Sequence, residues 1–157
     1  MEIKQNILDA LNEWLTPTFD TATHEAIKEL MTTSPAELEE SFYKNLEFGT
    51  GGMLGVMGVG DNRINKYTLG KSTQGLSNYM HKIFPDKDLK VAIAFDCRHN
   101  SKSLAKVVAD VFSANGISVY LFSDLRPTPE LSFAVRHLDC QAGIVLTASH
   151  NPPEYNG

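Results

Sequence analysis

Ile3, Ile7, Leu8, Leu11, Trp14 and Leu15 recur at a spacing close to 3.6 residues, which puts one apolar stripe on a helix at the start of the chain. Thr16-Pro17-Thr18 interrupts it, and a second helix is expected near residues 20–31. Ser34-Pro35-Ala36-Glu37 then offers an N-cap serine, a proline at the first helical position and a capping-box glutamate for a third helix reaching about Tyr43. At Asn45 the pattern changes. Leu46-Glu47-Phe48 has strand character, and Gly49-Thr50-Gly51-Gly52 opens a stretch with six glycines between 49 and 60, which fits no regular element.

Beyond Asp61-Asn62-Arg63, Leu69, Leu76, Met80 and Ile83 fall at helical spacing over 67–84, with Gly70 and Gly75 allowing close packing on a sheet and Pro85 ending the run. From there strands and helices alternate: strand 91–95, helix 102–115, strand 117–122, helix 129–138, strand 142–146. Ser101 is suited to cap the first of these helices and Gly116 to stop it, while Thr128-Pro129 opens the second. Continuous apolar strands between amphipathic helices imply a sheet covered on both faces. The expected fold is α/β: a three-layer α/β/α domain over 45–157 with a mixed, mostly parallel sheet, preceded by a helical extension over 1–44.

Composition narrows the class further. With 157 residues, 42% hydrophobic and 21% charged, the chain suits one ordinary globular domain. A net charge of −5 with both signs dispersed argues against a nucleic-acid partner. No apolar run approaches a membrane span and no secretory signal is visible, so a cytoplasmic protein without a membrane partner is expected. Cys97 and Cys140, far apart and without CxxC spacing, read as buried thiols. The five histidines show no metal-ligand spacing.

In open α/β sheets ligands bind beyond the carboxyl ends of the strands. Three loops qualify: Asp96 to Ser101 after one strand, Thr147 to Pro153 after another, and the glycine-rich loop Gly49 to Gly55. Ser149 stands out because it follows a buried strand and precedes Asn151-Pro152-Pro153, whose prolines restrict the backbone. The same residues also suit a polar turn that only leaves the sheet. Arg98 is either a cation for an anionic ligand or half of a surface ion pair, and His150 either a ligand donor or a structural one. The glycine loop either cradles phosphate through its N–H groups or merely turns. Asn65 to Ser72 comes near a nucleotide-binding Walker A loop, but Asn65 replaces the first glycine and no strand precedes it.

Thr147-Ala148-Ser149-His150-Asn151-Pro152 resembles the phosphoserine motif TASHNP of the alpha-D-phosphohexomutases, the phosphoglucomutases and phosphomannomutases. Phe48-Gly49-Thr50-Gly51-Gly52-Met53 is similar to the GT-x-G loop of that family, and Asp96-Cys97-Arg98 to its D-x-R turn. The resemblance implies the first domain of an enzyme interconverting hexose 1- and 6-phosphates through a bisphosphorylated intermediate. Ser149 would carry the phosphoryl group with His150 beside it, and Thr50, Gly51, Arg98 and Asn151 would bind substrate. It also implies Mg²⁺, held by a following domain and by the phosphate on Ser149, and glucose 1,6-bisphosphate as activator. The partners would be a hexose phosphate and the remaining domains of the same enzyme, and the chain by itself would be inactive. Leu54 departs from the pattern, since the family usually places an arginine there. A non-catalytic domain that binds a phosphorylated ligand is the alternative.

Overall fold

The computed structural model describes residues 4–157, so Ile3 of the first apolar stripe lies outside the described residues. The chain divides into two compact units, the first ending at Asn65 and the second running Lys66–Gly157.

The first unit contains α1 (Gln5–Trp14), α2 (Thr21–Thr33), α3 (Pro35–Phe42) and a two-residue strand segment, β1 (Gly55–Val56). Ile7, Leu11 and Trp14 form the buried stripe of α1, whereas Leu8 is 37% exposed and stands outside it. Trp14 is fully buried, stacks on Phe19 with ring centroids 4.5 Å apart and meets Phe42 edge-on at 5.7 Å. Its indole N–H donates to Asp61 Oδ2 at 3.0 Å, which satisfies the one polar atom that burial would otherwise strand. Ser34 occupies the N-cap position and Pro35 the first turn of α3, but the Ser34 side chain makes no capping bond. Leu46-Glu47-Phe48 is not a strand. Phe48 makes only an isolated antiparallel bridge to Met53, because the glycine loop turns back immediately.

The second unit begins with α4 (Lys66–Ile83), which contains Lys71 and Ser72, so the Walker-like stretch is helix rather than phosphate loop. Helix α4 packs on α5 (Ser101–Ala114). Gly70 and Gly75 have open space where a side chain would be, and Ile83 is exposed. These glycines therefore do not mark a close approach to the sheet.

Three strands, β2 (Lys90–Phe95), β3 (Ser118–Leu121) and β4 (Ala142–Leu146), form a parallel sheet in the order β3-β2-β4. Ala92 and Ala94 of central β2 pack against Leu131 and Ala134 of α6 (Thr128–His137). Strand alternation turns Val91, Ile93 and Phe95 to the other face, where α5 lies against the sheet. Two crossovers leaving in opposite directions place their helices on opposite faces, as the handedness of parallel connections requires. The expected α/β architecture is thus present, with β2 buried from Val91 to Phe95. Edge strand β3 differs from the buried strand expected at 117–122: Tyr120 and Leu121 are exposed, since only one neighbour covers it.

Helix α5 ends as its sequence predicts. Gly116 at φ 73° lets its own N–H reach Ser113 O and the N–H of Ile117 reach Phe112 O, the paired bonds of a Schellman ending. Its start differs from expectation. Asn100, at φ 63°, takes the cap position and Ser101 is the first helical residue. No described helix is long and apolar enough to cross a membrane.

Candidate functional site

Strands β2 and β4 are neighbours in register, Phe95 opposite Leu146, so both chains leave the sheet side by side at its carboxyl edge. This brings the Asp96-Cys97-Arg98 turn against the Thr147 to Pro153 loop. Asp96 is the first residue past β2 and Thr147 the first past β4. The Thr147 hydroxyl donates to Asp96 Oδ2 at 2.5 Å. Asp96 Oδ1 also accepts from the Ser101 hydroxyl at 3.1 Å and from the Arg98 backbone N–H at 3.0 Å. Ser101 does not cap α5 because its hydroxyl is used here.

Thr147 has a second bond, in which its oxygen accepts the backbone N–H of Ser149 at 2.9 Å. Ser149 is exposed and left-handed, at φ 50°, a conformation that costs a non-glycine residue about 1–2 kcal/mol and that surrounding bonds must hold. Its hydroxyl therefore points from a fixed backbone, with His150 Nδ1 3.2 Å from Oγ. Asn151 closes the turn: both its backbone N–H and its Nδ2 donate to Ala148 O, at 2.9 and 3.0 Å.

Arg98, expected at the ligand, instead turns its guanidinium onto the main chain of the other loop. Nη1 donates to Asn151 O at 2.7 Å, and Nη2 donates to Pro152 O and to Tyr155 O, the latter at 3.1 Å. Its Nε is buried and has no partner among the described residues. Below this clamp Asn156, fully buried, donates to His99 O at 2.8 Å and to Ser101 Oγ at 3.0 Å, and accepts from the Gly157 N–H at 2.8 Å. Asn156 sits in a two-residue segment, β5 (Tyr155–Asn156).

Ser149, His150, Asn151 and Arg98 are thus brought together. They are joined by Asp96 and Thr147, which enter the sequence reading only as members of motifs, by Ser101, which enters it only as a helix cap, and by Asn156, which does not enter it. The available signal was that an acceptor-only carboxylate and a hydroxyl each come first after a strand, but this says nothing until those strands are known to be neighbours.

Thr50 and Gly51 lie in the first unit, on a loop of its own. The Gly49 N–H donates to Gly52 O at 2.8 Å, closing a tight turn, and Thr50 and Gly51 are exposed at its tip. Leu54 is 43% exposed, so it is not packed beneath the loop. Cys97 is exposed, contrary to the buried thiol expected, because the D-x-R turn carries it past the sheet edge. Cys140 is half-buried. Burial pushes its thiol pKa up, Lys90 pulls it down and Asp139 adds to the rise. Among the described residues no group of three His, Cys, Asp or Glu could hold a metal ion.

Comparison with known proteins bears on the family of the chain. Residues 45–157 match the family model described as phosphoglucomutase/phosphomannomutase, alpha/beta/alpha domain I. A human phosphopentomutase is 41% identical over 153 residues, covering 92% of this chain and 25% of that protein. A Staphylococcus aureus (strain USA300) phosphoglucomutase is 44% identical over 124 residues, 79% of this chain and 22% of that protein. A crystal structure from Thermus thermophilus, described as a candidate phosphomannomutase, superposes with a TM-score of 0.66 at 32% identity, covering 73% of this chain and 25% of that one. The chain spans about a quarter of the length of the curated relatives it matches.

Proposed function

The chain belongs to the phosphoglucomutase/phosphomannomutase family, and from that membership we propose that it serves as the phosphoserine-bearing domain of a sugar phosphomutase, with Ser149 as the phosphoryl carrier. The observation that carries this reading is the exposed Ser149 hydroxyl at the carboxyl edge of a parallel sheet, on a backbone fastened by Thr147, Asn151 and Arg98. An unaided serine is a weak nucleophile, but a carrier that receives and returns a phosphoryl group depends chiefly on position. In the first transfer the P–O bond to Ser149 Oγ breaks as one forms to a hydroxyl of the sugar phosphate, giving a bisphosphate. In the second, the bond between the other phosphoryl group and its sugar oxygen breaks as one forms to Ser149 Oγ, and in each transfer the proton of the accepting hydroxyl passes to the departing oxygen.

His150, 3.2 Å from that oxygen, is placed to donate to a phosphoryl oxygen or to the departing serine oxygen. Thr50, Gly51 and Asn151 are proposed to bind substrate. Arg98 contributes by holding the Ser149 loop and by the positive charge it brings beneath it. The domain is taken as 45–157 with 1–44 as its helical extension, a division supported by the span of the family match. Hexose phosphate is the substrate in this reading. The phosphopentomutase relative makes a pentose phosphate the second one to test. Among the described residues no group of three His, Cys, Asp or Glu could hold Mg²⁺ by itself, and in this reading it would be held by a phosphate on Ser149 together with groups of a following domain.

Mass spectrometry of the full-length protein after incubation with glucose 1,6-bisphosphate should find phosphate on Ser149. Ser149→Ala should abolish that label and lower turnover of glucose 1-phosphate, or of ribose 1-phosphate, by more than about a thousandfold. Turnover without label on Ser149 would refute the carrier role. Label without turnover of any sugar phosphate would favour a phosphorylated binding domain. The 157-residue chain alone should show no turnover, since it spans about a quarter of the length of the mutases it resembles.

A further inference from the structure

We propose that Asp96, acting through Thr147, is the positioning residue that sets the Ser149 hydroxyl for phosphoryl transfer. The inference rests on the carrier reading of Ser149 given above. Three donors converge on the Asp96 carboxylate: the Thr147 hydroxyl, the Ser101 hydroxyl and the Arg98 backbone N–H. Only an acceptor-only group satisfies all three, which is what an ionised carboxylate is and an amide is not.

The consequence passes along the chain of bonds. Because Thr147 gives its single hydroxyl proton to Asp96, its lone pairs are left for the Ser149 N–H, at 2.9 Å. That bond fixes the peptide entering Ser149 and supports φ 50° there, so the direction of Cα–Cβ, and with it the reach of Oγ, is set by a carboxylate just past the end of the neighbouring strand. Asp96 touches neither the hydroxyl of Ser149 nor its backbone in this network. Its influence is on where the hydroxyl stands, and a displacement near 1 Å at a reacting atom is worth about a hundredfold in rate.

In Asp96→Asn the amide must turn a nitrogen toward at least one of the three donors, and the relay loses its fixed sense. The full-length protein carrying Asp96→Asn should lose about a hundredfold in kcat while KM for the sugar phosphate stays within about threefold. Thr147→Val, which removes the hydroxyl at similar volume, should match it. Thr147→Ser, which restores the hydroxyl, should recover kcat to within about threefold of the parent. The double variant Asp96→Asn/Thr147→Val should be no slower than either single one, since both break the same chain.

A loss that only reflected a weakened fold would appear in KM and melting temperature as well as in kcat. If Asp96→Asn does not fold, the Thr147→Val and Thr147→Ser pair carries the test. Wild-type kcat in Thr147→Val, or equal losses in Thr147→Val and Thr147→Ser, overturns the relay. If the parent itself takes no phosphate on Ser149, the carrier reading fails and the relay with it. If the parent is labelled and active while Asp96→Asn keeps its kcat, the relay alone fails.

Discussion

The Ser149 loop and the Gly49 to Leu54 loop are both short polar turns, yet they are held in opposite ways. The first is tied to the sheet from several sides: Thr147 to Asp96, Asn151 back to Ala148, and three carbonyls to the guanidinium of Arg98. The second closes on itself through the Gly49 N–H to Gly52 O bond and the Phe48 to Met53 bridge, with Thr50, Gly51 and Leu54 open to solvent. A group that must present an atom to a reaction gains from fixed neighbours. A loop that only receives a ligand through backbone and small side chains needs reach, and few tethers leave it more freedom to open and close. On this contrast, changes around Ser149 should be felt as lost stability and lost kcat, and changes around Thr50 chiefly as altered ligand affinity.

The largest expected effect comes from removing the clamp. Arg98→Met keeps much of the apolar stem but leaves the carbonyls of Asn151, Pro152 and Tyr155 without their donor. Hydrogen bonds from a charged group are worth more than neutral ones, and their loss together should cost about 2–4 kcal/mol in urea unfolding. Arg98→Lys should recover less than half, because an ammonium cannot span three carbonyls as a planar fork does. Thr50→Ala in the other loop should change stability by less than about 0.5 kcal/mol. Equal losses for Arg98→Met and Thr50→Ala would end the contrast.

Periodicity and punctuation made much of the fold legible. The stripe Ile7, Leu11, Trp14 was readable because helix spacing repeats locally, and Gly116 was readable because a left-handed helix ending favours glycine. Leu8 and Ile83 were misplaced on buried faces because a helix's own pattern does not reveal how wide a face its neighbours cover. Edge strand β3 looked buried for the same reason: Tyr120 and Leu121 are apolar by sequence, while strand order decides their exposure. At the site, Ser149 was visible in its motif, but its wiring was not. Asp96 and Thr147 are 51 residues apart, and Asn156 and Ser101 are 55 apart, distances over which a sequence gives chemistry without partners. Arg98 shows the limit most clearly, since its sequence position does not reveal that its guanidinium reaches the carbonyls of Asn151, Pro152 and Tyr155.

The next effect sharpens the open loop's side of the contrast. The resemblance leads one to expect an arginine where Leu54 stands, and a charge-assisted bond from such an arginine to a phosphate would be worth about 1.5–3 kcal/mol. Because Leu54 is 43% exposed, Leu54→Arg adds no buried charge and should alter stability by less than about 0.5 kcal/mol. Its kcat/KM in the full-length protein should rise by about ten- to a hundredfold. A fall in melting temperature would show that the leucine packs against something after all. Unchanged kcat/KM with unchanged stability would remove position 54 from the ligand's path.

The smallest effect is the most local test of whether the glycine loop is open by design. A Cβ placed on Gly51 meets nothing within 4 Å, and its φ lies outside the left-handed range, unlike that of Gly52 at 150°. Gly51→Ala therefore fits the folded loop without strain and restricts the unfolded chain, so it should leave stability unchanged or raise it by about 0.4–1 kcal/mol. The same methyl group would stand between the backbone and any phosphate approaching the tip, since close approach to main-chain N–H groups is what a missing side chain permits. A higher KM with unchanged kcat and no loss of stability would place the ligand at Gly51. Loss of stability would mean that the tip is packed rather than open. If KM, kcat and stability all stay at parent values, the loop's tip receives no phosphate, and Gly51 leaves the proposed binding set.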